Sequence, residues 1–327
     1  MTNLKELINT LNMDEINELN KFNDHIKKSD YFQELEPYKN FGNQIKMIVS
    51  ILDGIENNSL WISVGNQNGS KISSDRDINL FFCFSSYRLI LVSIIKTLKN
   101  IHMLLPTESF GDVLTLLRRY EEGIYIFIFF NVIETNYDKY GLEIKEKIKK
   151  WQRLKEKELL NIAHIINFLK NKKIINNILE ILNLDFDALQ KMRKKLNDFI
   201  HYNGLSYINN GFINLEEKYK FIEEILEEIQ LFTKILIIFC STNCEWYCIS
   251  TDFHDYLEVY GEAIEGLQYL TMPVLNDYIF TKFTVEEISY IKNNSSLKLG
   301  PEIDDFITEI NFDSKRNSKN EKWYFDF

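Results

Sequence analysis

One helical segment carries most of the side chains able to do chemistry together. Residues 188–204 read ALQKMRKKLNDFIHYNG. At about 100° per residue, Leu189, Met192, Leu196, Phe199 and Ile200 gather on one side of a helix. Gln190, Lys194, Asn197 and His201 fall on the opposite side. Histidine titrates near neutrality, so His201 can take a proton from a ribose 2′-hydroxyl or give one to a leaving oxygen. Asn197, four residues earlier, is its neighbour on that face and can orient the imidazole. Lys194 or Arg193 can neutralise charge building on a phosphate. Such chemistry needs no metal, and no cofactor is expected. The plainer reading is a solvated histidine on an ordinary polar face, with 191–195 as a solvated basic surface.

A second charged stripe lies at residues 111–132, GDVLTLLRRYEEGIYIFIFFNV. Thr115, Arg118, Arg119 and Glu122 share a helical face that turns apolar at Ile126 and Phe129. Charges on a stripe leading into a core should be half-buried and paired. Arg118 or Arg119 has the spacing to pair with Glu122. The stripe can support His201 or bind an anion, or serve as a structural ion-pair network alone.

Other groupings carry less. Cys240, Cys244 and Cys248 recur every four residues, with His254 six further on. Three thiols and an imidazole can hold zinc, but the apolar flanks read as buried packing cysteines. Glu223, Glu224, Glu227 and Glu228 form an acidic double stripe, read as a solvent face rather than a magnesium site. His164, within LLNIAHIINFL, reads as a buried core histidine. There is no Gly-Lys-Ser/Thr phosphate loop, no Gly-x-Ser-x-Gly and no His-Glu-x-x-His.

The elements that must position these residues are helices. The chain has 327 residues, 45% hydrophobic, with only 12 glycines and 4 prolines. That composition can bury a sizeable core and favours helices over a turn-rich β fold. The expected fold is all-α, a multi-helix bundle with short connections and a polar loop or small hairpin near 64–77. Helices are expected over 78–105, 112–134, 143–157 running into 159–169, 174–182, 186–202, 216–240, 255–270 and 284–292, after two or three near the start. The second half of 112–134 is apolar on every face and should lie in a bundle centre. Residues 1–60 would form an N-terminal helical extension, 78–240 the bundle core, and 241–327 a helical cap with a polar tail.

The formal net charge is −10, which excludes a uniformly basic nucleic-acid coat but not a local basic patch. Four cysteines do not make a secreted disulfide framework. The opening residues lack the apolar core of a signal peptide. The apolar runs at 89–95, 124–133 and 235–240 fall short of the roughly 20 residues that span a bilayer. A cytoplasmic protein without a membrane association is expected.

The segment ending in His201 resembles the last motif helix of HEPN-type proteins, a helical-bundle superfamily rich in ribonuclease toxins and phage-defence proteins. Its motif is an arginine followed, after four to six residues, by a histidine. Here Arg193 precedes His201 with seven residues between, and Lys194 has six between. Leu117-Arg118-Arg119-Tyr120-Glu121-Glu122 is similar to the Leu-Arg-x-x-Glu helix of related bacterial families, and Leu196 through His201 to their later Leu-x4-His helix. The resemblance covers about half the chain. It implies a metal-independent endoribonuclease toxin acting on RNA, used in antiviral abortive infection, with a site shared across a homodimer. The alternative is a non-catalytic helical sensor or scaffold that binds a protein partner or small ligand through the same groove.

Overall fold

The computed structural model describes residues 36–65, 75–135, 161–200, 215–250 and 270–300. The described residues are 86% helical. Nine helices follow one another among them: α1 (Glu36–Gly65), α2 (Asp75–Leu104), α3 (Phe110–Thr135), α4 (Ile162–Lys170), α5 (Lys173–Ile181), α6 (Phe186–Ile200), α7 (Leu215–Asn243), α8 (Pro273–Lys282) and α9 (Val285–Asn294). No strand occurs among the described residues; isolated bridges join Ile249 to Thr271 and Leu270 to Lys298. The fold is all-α. His201, His254, the side chain of Cys83, residues 66–74 of the expected loop or hairpin, the expected helix at 143–157 and most of 255–270, the start of the chain and its polar tail lie outside the described residues.

Two compact units divide the chain, and α1, α2, α3 and α7 each contribute residues to both. The first comprises Met1–Val49, Val92–Ile126 and Phe186–Thr233. Its core residues recur at three- and four-residue spacing, as amphipathic packing demands: Phe41, Ile45 and Ile48 from α1, Ile94, Leu98 and Ile101 from α2, Leu117, Tyr120 and Ile124 from α3, Ile222, Ile225 and Ile229 from α7. Leu189 and Leu196 are the buried side of α6. The Tyr120 hydroxyl lies 2.8 Å from the Thr233 hydroxyl, tying α3 to α7 inside the core. Gly123 lets α2 approach closely: a Cβ there would stand 2.7 Å from Ile94 Cγ1. Between α2 and α3, Pro106 starts a 3-10 turn, and Glu108 closes it at φ 60°.

The second unit comprises Ser50–Leu91, Phe127–Asp185 and Lys234–Phe327. Phe127, Ile128, Phe129 and Phe130 are all buried, as a stretch apolar on every face requires. Asn58 is buried and donates from Nδ2 to the carbonyls of Tyr247 (3.1 Å) and Ile249 (2.9 Å). Helix α5 ends with Asn183 at φ 55°, and Leu184 N–H returns to the Leu179 carbonyl at 2.8 Å, a left-handed stop that asparagine tolerates. Helix α9 opens with a capping box between Thr284 and Glu287. The Glu287 carboxylate also accepts from Lys234 Nζ at 2.8 Å.

Two expectations need correction. His164 is exposed, not buried. Helix α4 buries Ile165 and Leu169, and His164 stands about 100° away from Ile165 on the helix. Its backbone N–H is held by the Asn161 cap at 2.9 Å. Helix α8 was not anticipated; it begins with Pro273 at its first turn, where a missing N–H costs nothing. Tyr87–Thr107 is long and apolar enough by composition to cross a membrane. Its Ile94, Ile95, Leu98 and Ile101 belong to the first unit's core.

A candidate site on the polar face of α6

Helix α6 turns Leu189 and Leu196 into the core of the first unit, which fixes the direction of its other residues. Arg193, three before Leu196, is drawn inward with only 13% of its side chain exposed. Its Nη2 donates to Glu122 Oε1 of α3 at 2.6 Å. The same oxygen accepts from Arg118 Nε at 3.0 Å, the pairing that the four-residue spacing predicts. Arg119 is exposed instead, its Nη2 3.5 Å from Ser93 Oγ.

Beneath this pair lies an acid that the sequence reading did not single out. Glu121 is 1% exposed, and its Oε1 stands 3.6 Å from Arg193 Nη1. Both Glu121 oxygens and Arg193 Nη1 lack a hydrogen-bond partner among the described residues. Burial pushes the Glu121 carboxyl up to about 7; Arg193 works against that shift, and Glu122 and Glu228 reinforce it. The same burial raises the hydroxyl of Tyr125, one turn on, with Glu121 adding to the shift. A signal for Glu121 was present: it lies four after Leu117 and three before Ile124, both core residues, so it shares their helical face.

Helix α7 contributes a further acid. Glu223 and Glu227 face solvent as expected, but Glu224 and Glu228 are only part-exposed. Glu224 accepts from Lys195 Nζ at 2.8 Å. Burial pushes Glu228 up to about 7, with Lys195 opposing and Glu224 reinforcing. The solvent-face reading therefore holds for one stripe of the pair and fails for the other.

The remaining α6 residues separate by direction. Lys191 and Lys194 are exposed and have no ion-pair partner among the described residues. Asn197 is part-buried, and its Oδ1 is a buried acceptor without a partner among the described residues. The structure thus brings Arg193, Arg118 and Glu122 together with Glu121. It sets Lys194 apart on the outer face, leaves Arg119 outside the cluster, and carries Asn197 one turn beyond Arg193.

The cysteine cluster is of another kind. Cys240 and Cys248 are fully buried and Cys244 part-buried. Burial raises the Cys240 thiol strongly and Cys248 to about 12. Cys248 Sγ lies 3.6 Å from Ser241 Oγ, and Cys244 Sγ the same distance from Asn131 Oδ1. Thiols buried in this way act as packing residues. Among the described residues no group of histidines, cysteines and carboxylates is arranged to hold a metal.

No protein-family model matches the chain, and neither a curated protein nor a solved structure is significantly similar to it.

Proposed function

We propose that the polar face of α6 belongs to a metal-independent ribonuclease of HEPN type, with His201 as its general acid or base. The observation that carries this reading is Asn197. An amide oxygen that is buried and without a partner among the described residues is available to accept from an imidazole N–H four residues further along, which would fix the ring's tautomer and direction. Lys194, exposed and without an ion-pair partner among the described residues, would meet the phosphate. Arg193 is committed to Glu122 and would act by positioning α6 rather than by touching RNA.

The step would be an internal transesterification. The 2′-oxygen loses its proton to imidazole and attacks phosphorus. The bond to the 5′-oxygen breaks, and that oxygen takes up a proton. The products are a 2′,3′-cyclic phosphate and a 5′-hydroxyl end. In a homodimer the histidine of the second copy would supply the acid. A toxin of this kind would arrest growth, as expected of an abortive-infection effector.

A specific observation favours a second reading. The arginine nearest His201 is neutralised by Glu122, and the chain's net charge of −10 repels a polyanion. A non-catalytic helical scaffold that engages a protein through this face accounts for both.

The discriminating experiment incubates purified protein with total RNA and tRNA in EDTA, beside a His201→Ala variant of matched stability. Cleavage by the wild type alone, leaving cyclic phosphate ends, supports the ribonuclease. Absence of cleavage by either at high protein concentration rejects it in favour of the scaffold. Growth arrest on overexpression, relieved by His201→Ala, would be the cellular counterpart.

A further inference from the structure

The cluster beneath α6 is built asymmetrically. A guanidinium can serve two carboxylates at once through its two terminal nitrogens. Arg193 serves one. Its Nη2 is closed on Glu122 at 2.6 Å, while its Nη1 faces Glu121 Oε1 across 3.6 Å with no hydrogen bond made. Both oxygens of Glu121 lack a hydrogen-bond partner among the described residues although the residue is buried. Buried polar atoms are seldom left so, and each exception calls for an explanation.

We propose that Arg193 is a latch with one arm closed on Glu122 and one arm open toward Glu121, and that loss of the Glu121 proton closes the open arm. While Glu121 is neutral it offers Arg193 a weak acceptor, and the guanidinium stays with the half-exposed Glu122. Once ionised, Glu121 is a buried charge whose nearest cation is the open Nη1. Closing the gap to ordinary charge-assisted length needs a movement of under about 1 Å. Because Arg193 is fixed to α6, that movement draws α6 toward α3 and carries Asn197 with it.

The groups that face Glu121 set where this happens. Arg193 of α6 and Arg118 of its own helix favour the ionised form. Glu122 beside it and Glu228 of α7 oppose it. Glu228 is in turn governed by Lys195 and Glu224. Glu228 adds to the upward push on Glu121, so removing its charge should ease the ionisation of Glu121. The device stands on the cluster alone and does not require that His201 cleave RNA.

The test follows the Arg193 side-chain resonances by ¹⁵N NMR from pH 5.5 to 8.5, assigned with Arg193→Lys. The wild type should show one transition, with a midpoint near neutrality, in which the second terminal nitrogen moves to a hydrogen-bonded shift. Glu121→Gln, which keeps the shape and lacks the charge, should abolish it. Glu228→Gln should move the midpoint to lower pH. If Glu121→Gln does not fold, Glu122→Gln replaces it: its single remaining arm should engage Glu121 at pH 8.5 and release it at pH 5.5. An Arg193 signal that is constant with pH in the folded wild type, or a transition that survives in Glu121→Gln, overturns the proposal. RNA plays no part in the readout, so failure of the ribonuclease reading leaves this result unaffected.

Discussion

The buried acid makes the protein's stability depend on pH in a direction opposite to that of most paired carboxylates. Glu121 is 1% exposed, and its carboxyl is pushed from an ordinary 4.5 to about 7, chiefly by burial. The folded chain thus holds a proton that the unfolded chain releases. Stability from this group is fully present below pH 4.5, declines as pH rises, and levels off above pH 7. With those two values the linkage relation gives a loss of about 2 kcal/mol between pH 5.5 and 8.5, and about 3 kcal/mol over the whole range. Glu228 shifts in the same direction, so the measured slope should be no shallower. Urea unfolding at half-unit pH steps, read as the midpoint times the slope, gives the curve directly. Glu121→Gln cannot ionise, so its curve should be flatter by about 2 kcal/mol across the same window. The variant should match the wild type below about pH 4.5 and exceed it at pH 8.5. Parallel curves for the two proteins would show that Glu121 is ionised throughout, and the reasoning from burial would fail.

Two packing predictions follow from the same structure. Gly123→Ala should lose stability despite alanine's better helix propensity. The added Cβ meets Ile94 Cγ1 at 2.7 Å, and overpacking of this kind costs about 1–3 kcal/mol. In an Ile94→Ala background the Gly123→Ala step should cost less or become favourable, measurable as a non-additive double-mutant cycle. Lys234→Met should cost about 3 kcal/mol, because it leaves Glu287, 7% exposed, without its cation. Adding Glu287→Gln should recover much of that loss in thermal unfolding, since the amide oxygen can still accept from the Thr284 N–H.

What the sequence made legible was local. The three- and four-residue spacing of apolar side chains located α2, α3, α5, α6, α7 and α9, and the Pro106 break separated α2 from α3. The Arg118–Glu122 pair was legible because both ends lie on one helix, four residues apart. The destination of Arg193 was not, because Glu122 is 71 residues away and its proximity depends on how α6 meets α3. His164 shows the opposite error: apolar neighbours in sequence suggested burial, yet only Ile165 and Leu169 of that short helix turn inward. Glu121 was readable in principle from the helical face it shares with Leu117 and Ile124. The neighbouring Glu122, four residues after Arg118, completes the charged stripe without it.

The charges of α6 then decide what its surface can and cannot do. Four cations lie on this helix: Lys191, Arg193, Lys194 and Lys195. Arg193 is buried against two acids, and Lys195 is held by Glu224. Only Lys191 and Lys194 are left outward and unpaired among the described residues. Two exposed lysines release few counterions, so any grip on a phosphate backbone through α6 alone is weak and lost readily to salt. A ribonuclease working here must draw its affinity from elsewhere, through stacked bases, a second copy of the chain, or groups beyond α6. The inward-turned Arg193 is placed differently. It lies against Glu121 and Glu122 beneath the helix that carries Asn197, so the one arginine of the segment that resembles a catalytic motif is spent on positioning that helix.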